Sequence, residues 1–310
     1  MRRFSASGLL PLLALGTIWG ITFPVARLGV EGGADPFLLV VLDLVLAAAV
    51  LGSITLGTGS PRPRARSLLE SAGLGALLIA GINLPLFWGL RVATGGTAAI
   101  VYATAPILSV VVLWMLRSPI EIHARQAAAL AIGLVGVMLL GLGTSGLVLV
   151  AGLAALGAFC VGALCQGTGA VLVGRARPAG EDSWGLTFQF VGGAVASVAL
   201  LPFLTTSFAL PLTVPVWGSI VYVGVLSMVV GYTLFFHLIR TVGPVRANQV
   251  TFVSPVVALV VGVVALGEGF QPVEAGALAC ILLALVLLQP SRPGRSLPSP
   301  VLGRPGTTGP

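Results

Sequence analysis

Residues 86–116 read LFWGLRVATGGTAAIVYATAPILSVVVLWML, and residues 234–266 read LFFHLIRTVGPVRANQVTFVSPVVALVVGVVAL. Laid 148 residues apart, they match in order: Leu86 falls on Leu234, Phe87 on Phe235, Leu90 on Leu238, Gly95 on Gly243 and Ala99 on Ala247. One residue further along, Pro106 meets Pro255, and each opens an aliphatic run. Single matches mean little in apolar sequence. A co-linear aromatic, glycine and mid-run proline mean more, and they divide the chain into two copies of one unit.

Composition says where such units live. The chain has 310 residues, 57% hydrophobic and only 8% charged, with a mean hydropathy of +1.08. A soluble domain carries about 25% charged residues to solvate its surface. These numbers exclude a soluble globular protein, a disordered tail and a secreted disulfide scaffold. The net charge of +7 comes from 16 arginines and no lysine, placed between apolar stretches, so it is no nucleic-acid patch. Cys160, Cys165 and Cys280 sit singly inside apolar runs and read as small core residues rather than metal ligands. The chain is an all-α membrane protein.

A helix crossing the ~30 Å hydrocarbon layer needs roughly 20 apolar residues. Charges and turn-formers leave ten candidates: Leu9–Gly29, Phe37–Leu56, Leu69–Leu90, Ala98–Leu116, Ala127–Gly143, Val148–Gly174, Trp184–Leu204, Val216–Ile239, Ala247–Leu266 and Val273–Gln289. Continuous runs without alternation argue against a membrane β-barrel. The cut between the fifth and sixth rests on glycines (Gly141 to Gly146), which makes nine the rival count. The arginines decide it. With ten spans and the N-terminus inside, 14 of the 16 fall in cytoplasmic regions, and only Arg27 and Arg91 fall outside. Dropping that cut inverts every later loop and destroys the asymmetry.

Both termini are therefore expected in the cytoplasm. The N-terminal run continues to Val30, too long for a signal-peptide core, and reads as an uncleaved first span. Residues 1–146 form the first five-helix repeat and 147–290 the second; 291–310, rich in Pro, Gly and Ser, read as a disordered cytoplasmic tail. Five is an odd number, so the two copies must enter the membrane in opposite senses. Inverted repeats of this kind belong to secondary transporters, whose halves rock about a site near mid-bilayer.

The stretch Trp217–Leu288 closely resembles the C-terminal half of the EamA branch of the drug/metabolite transporter superfamily. Its landmarks are Tyr232, Gly243, Ser254-Pro255 and Leu266-Gly267-Glu268. LALGTIWGITFPVARLG, with Trp19-Gly20, resembles the family's first span, and GTAAIVYATAPILSVVVLWML its fourth. The resemblance runs from Leu9 to Leu288. It implies a cavity enclosed by spans one to four and six to nine, with five and ten peripheral. It also implies alternating access for a small organic solute, moved outward. Two departures stand out: Asp43 occupies the second span where the family often carries arginine, and Glu121 is displaced relative to Glu268.

Asp43 is the only carboxylate well inside a span. A charge at a helix centre costs about 2.5–3.5 kcal/mol, so it should face the bundle. It is the candidate proton-coupling or cation-binding group; the plainer reading puts it a turn or two below the outer interface, hydrated or paired with Arg27 or Arg91. Candidate cavity residues are Trp19, Asn83, Trp88, Tyr102, Gln166 and Tyr232. Asn83 can donate and accept, or simply bond a neighbouring helix. Gln166 shares a face with Phe159 and Ala163, whereas Gln189, spaced with Gly193, Ala196 and Leu200, reads as small-residue packing. Pro24, Pro85, Pro106 and Pro255 are candidate kinks, each freeing a carbonyl. His237 reads as interfacial, and Gly16-x-x-x-Gly20 as a close helix contact.

Enzyme signals are missing from the sequence: no Walker loop, no nucleophile set, and two distant histidines, His123 and His237. No cofactor or metal is expected, and no nucleic-acid partner. The expected partners are membrane lipid and a small-molecule substrate, with transport facilitated or proton-coupled in the inner membrane. A structural or sensory membrane subunit and a lipid-modifying enzyme are the rival classes; the subunit does not call for an inverted repeat, and the enzyme needs a cluster of interfacial acids or histidines that the sequence lacks.

Overall fold

The computed structural model describes residues 6–115, 124–142, 147–175, 183–205, 207–242, 250–269 and 271–288. Among them the secondary structure is helical throughout. The helices are α1 (Ala6–Glu31), α2 (Pro36–Gly57), α3 (Ala65–Gly89), α4 (Gly95–Tyr102), α5 (Ala105–Met115), α6 (Ala124–Leu142), α7 (Leu147–Arg175) and α8 (Ser183–Leu204). There follow α9 (Val214–Val221), a π-helical segment (Tyr222–Gly231) continuous with α10 (Tyr232–Val242), then α11 (Val250–Leu266) and α12 (Pro272–Leu288). Six described helices are long and apolar enough to cross a membrane: Leu10–Glu31, Pro36–Gly57, Ala65–Gly89, Val150–Gly169, Ser183–Leu204 and Val214–Leu238. Shorter apolar helices occupy Gly95–Leu108, Ala127–Leu139, Val253–Leu266 and Pro272–Leu287. The proposed tail, the cut at 143–146, Glu121, His123 and Gly243 lie outside the described residues.

Local chemistry sets the helix starts. In GGADP, Gly33 takes the left-handed turn at φ +90 that only glycine adopts freely. Asp35 then caps α2, its carboxylate accepting from the Phe37 and Leu38 amides, with Pro36 at the first position where no donor is needed. Thr94 caps α4 by accepting from the Thr97 amide. Glu274 reaches back to the Gln271 amide at the head of α12. The fourth expected span is broken at Ala103-Thr104, just before Pro106, into α4 and α5. By contrast α1, α3 and α11 run on through Pro24, Pro85 and Pro255.

Glycines bring backbones together. Gly75 on α3 lies against the Gln189 carbonyl of α8, and Gly192 on α8 against the Ala72 carbonyl of α3, so any side chain there would collide with backbone. Gly16 and Gly20 seat α1 on Val253, Ser254 and Val257 of α11. Without a hydrophobic drive between helices in lipid, such close van der Waals contact is a main source of association. The remaining principal contacts pair α3 with α7, α2 with α8, α5 with α7, α1 with α9 and the π segment, and α6 with α12. At the far end of α2, the Trp184 indole donates to the Ser60 carbonyl at 3.0 Å, with Arg62 stacked over the ring. Apolar side chains such as Val195, Val260 and Phe203 point outward, as a lipid-facing surface requires.

Candidate functional site

Where α1, α3, α7, α8 and α10 meet, the packing leaves a cavity of about 50 Å³. Trp19, Gln166 and Tyr232, three of the sequence candidates, line it together with Gln189, Phe235, Phe236, Leu78, Ile79, Ile82 and Gly169. The Trp19 indole N–H donates to the Ser227 carbonyl in the π segment at 3.3 Å. It fits because Gly231 leaves room: a Cβ there would stand 2.5 Å from the indole nitrogen. Trp19 meets Tyr232 edge-on at 5.5 Å and Phe235 at 5.2 Å, and Phe190 closes on Tyr232 at 5.4 Å. Each aromatic pair adds about 0.5–1.5 kcal/mol beyond burial, which fixes the walls. The lining is therefore three kinds of group: aromatic faces, aliphatic side chains and two amides. No charged side chain is among the described lining residues.

Gln189 is the residue the sequence reading placed elsewhere. Its backbone carbonyl does pack on Gly75, as the small-residue spacing suggests, yet the residue also lines the cavity. The π segment also has no counterpart in the sequence reading. Tyr222, at its head, donates to the Ile18 carbonyl at 3.0 Å and ties it to α1. π-helical turns are rare and gather at functional sites because they shift helical register.

The other candidates sit apart from the cavity. Asn83 is buried and donates to its own helix, to the Ile79 carbonyl at 2.8 Å. Tyr102 donates to the Ile82 carbonyl at 2.6 Å, lodged between Phe23 and Phe159 where Gly162 leaves space. Trp88 lines a different groove of about 340 Å³ with Arg91, Val92, Val150, Ala151 and Ala154. That groove is larger, but Val150 on its wall is exposed, and it lies at the outer surface of α3 and α7. His237 is exposed on α10.

Asp43 is fully buried in α2, and neither carboxyl oxygen has a hydrogen-bond partner among the described residues. The expected pairing with Arg27 or Arg91 is corrected here. Arg91 bonds Asp35 at 3.3 Å and stacks over Phe37, while Arg27 faces Glu31 and Glu268. Both arginines are claimed by loop-end carboxylates, where their heads stay near the helix termini. The backbone carbonyl of Asp43 faces Gly224, so this turn of α2 lies against the π segment.

A second polar cluster gathers at the α1 C-terminus. Gly267, at φ +66, turns the chain so that Glu268 folds back against Gly262. Glu268 Oε1 accepts from the Gly95 amide at 3.4 Å and faces Arg27 Nε at 3.6 Å. Burial holds its carboxyl above the usual carboxylate range, against the opposing pull of Arg27 and the Gly95 amide, and neighbouring Glu31 and Glu274 push the same way as burial.

An apolar helical bundle that encloses a small aromatic-and-amide cavity between helices is the architecture of a membrane transporter. The chain matches the EamA-like transporter family over residues 6–142 and 153–289, and it belongs to that family. It is 28% identical over 302 residues to the uncharacterized inner membrane transporter YedA of Escherichia coli, covering 94% of each chain. It is 28% identical over 290 residues to a probable terminal-alkyne amino-acid exporter of Streptantibioticus cattleyicolor, covering 92% of this chain and 94% of that protein. Protein PecM of Dickeya dadantii is 27% identical over 279 residues, 88% of this chain and 89% of its own. A solved crystal structure with 18% identity superposes with a TM-score of 0.60 over 91% of this chain and 97% of its own, which speaks to the fold alone.

Proposed function

We propose that this protein exports a small organic metabolite across the inner membrane by alternating access, its two five-helix halves rocking about the cavity at Trp19, Gln166, Gln189 and Tyr232. The observation that carries this reading is the cavity itself: α1 and α3 of one half and α7, α8 and α10 of the other each contribute a wall. The helix pairings also trade places between the halves. The pairing of α1 with α11 has its counterpart in α7 with α5, and that of α3 with α7 in α1 with the segment α9 to α10. This exchange supports two inverted repeats, and with them ten crossings and cytoplasmic termini.

The lining favours a solute without net charge, amino-acid-like or drug-like, with an apolar body held by the rings and a polar group met by the two glutamines. An unneutralised charge in so apolar a site would be costly. The volume is too small for such a solute, so loading requires the helices to part. The exporter among the relatives supports the outward direction. A carboxyl sealed from water without a partner is suited to carry a proton or cation through the cycle, which makes Asp43 the coupling residue.

Proteoliposomes loaded with a pooled panel of amino acids and other metabolites, with and without an imposed pH gradient, test this. Movement of a panel member is expected, with Gln166→Leu weakening its apparent affinity about tenfold, the worth of one hydrogen bond. Movement unaltered in Gln166→Leu and in Trp19→Ala would place the path elsewhere.

A further inference from the structure

The cluster at the α1 C-terminus joins the two halves. Arg27 and Glu31 come from α1 and Thr94, Gly95 and Thr97 from the head of α4, all in the first half. Glu268 comes from the turn between α11 and α12 and Glu274 from the first turn of α12, both in the second. Gly95 itself packs directly on the backbone at Pro24, 2.6 Å from its nitrogen to where a Cβ would stand, so α1 and α4 move as one here. Every polar bond from this pair to Glu268 or Glu274 must break if the halves part at this end.

The charges do not balance. Arg27 Nε lies 2.6 Å from Glu31 Oε1 and 3.6 Å from Glu268 Oε1, one guanidinium before two carboxylates. A third, Glu274, is already served: it accepts from the Thr97 hydroxyl at 2.9 Å, the Thr94 hydroxyl at 3.3 Å and the Gln271 amide at 3.2 Å. Glu31 is half exposed and holds the shorter contact with Arg27. Glu268 is the member left with the two longest contacts while only 11% exposed.

We propose that Glu268 is a proton-binding site, taking up one proton as this end of the bundle closes. The inference rests on the alternating-access reading above, in which this end faces outward. A neutral Glu268 still accepts the Gly95 amide through Oε1 and leaves Arg27 to Glu31, so the closed cluster sheds one of its two surplus negative charges and keeps its bonds. When the halves part, water solvates the carboxylate and the proton leaves.

The sign follows from burial. The closed form holds the Glu268 proton more tightly than an opened, hydrated form, so closure is favoured below the Glu268 pKa and is lost as pH rises through it. The groups that face Glu268 set the midpoint: Arg27 and Glu31 from α1, the Gly95 amide from α4, and Glu274 from α12. In an exporter this places proton uptake from the outside on the step that closes the emptied, outward-open form.

The test uses the full chain in phosphatidylethanolamine–phosphatidylglycerol nanodiscs. Nitroxides are placed at Val92→Cys and Ala275→Cys, with Cys160, Cys165 and Cys280 changed to alanine. Distances are measured by double electron–electron resonance from pH 5 to 8.5. A short distance at low pH giving way to a longer one as pH rises is expected, and Glu268→Gln should remain short throughout. Arg27→Gln should raise the midpoint and Glu31→Gln lower it, each by about one pH unit. A wild-type distance that ignores pH, or a Glu268→Gln chain that titrates like wild type, overturns the proposal. No solute enters this measurement. Failure of solute movement with an intact titration would sink the transport reading alone, and the reverse result would sink only the assignment of Glu268.

Discussion

Asp43 and Glu268 are both acids drawn into helix contacts, and the fold treats them in opposite ways. Glu268 is solvated by the protein, with an amide, a guanidinium and a glycine seat built around it. Asp43 is sealed completely and has no hydrogen-bond partner among the described residues. A carboxylate with partners across a seam reports whether the seam is closed. One without partners reports what passes beside it, because any ion or proton that arrives becomes its first partner. On the roles proposed above, the difference separates a group that senses conformation from one that carries cargo charge.

The largest effect that can break this comparison is in transport. Asp43→Asn keeps the shape and removes the exchangeable proton. Movement driven by a pH gradient should fall more than tenfold in proteoliposomes, while gradient-independent exchange persists. If both persist unchanged, Asp43 is a packing residue and the comparison collapses.

Stability gives the next effect, and the two sites should differ in sign. Replacing a buried, unpartnered polar group by an apolar one of similar size relieves a desolvation cost of about 1–3 kcal/mol. Asp43→Leu should therefore raise the apparent melting temperature in detergent. Glu268→Leu strips the Gly95 amide and Arg27 of an acceptor and should lower it by a comparable amount. Melting shifts of the same sign would show that the two carboxylates are held alike.

Much of this was legible in the sequence, for stated physical reasons. Hydropathy marks the apolar helices, because lipid permits little else. GGADP announces a turn and a capped helix, since glycine, aspartate and proline each have one cheap place there. Trp19, Gln166 and Tyr232 could be singled out because polar or aromatic groups inside a span need a reason. Asn83 and Trp88 obeyed the same rule for other reasons: an amide can bond its own helix at the i−4 carbonyl, and a tryptophan can sit at a helix end. Gln189 escaped because its spacing reports the backbone contact with Gly75 and is silent about the cavity the residue also lines. The register of the π segment depends on what packs around it, which no local spacing encodes. The Arg27–Glu268 contact joins residues too far apart in the chain for periodicity to pair them.

The smallest expected effect sharpens the comparison most. Arg66 and Glu70 form an i,i+4 pair at 3.0 Å, the same spacing as Arg27 and Glu31, but the side chains are 90% and 62% exposed. Water screens such a pair, and its loss should cost under about 0.5 kcal/mol. Glu70→Gln should leave both the melting temperature and the pH midpoint of the Glu268 end where they are. Glu31→Gln, which removes the same charge from the same helical geometry, should move that midpoint because Glu268 stands behind it. If Glu70→Gln moves the midpoint as far, the titration belongs to surface charge in general, and Glu268 has no special claim on the proton. If only Glu31→Gln moves it, the response is local, and the two carboxylates that share Arg27, Glu31 and Glu268, are its cause.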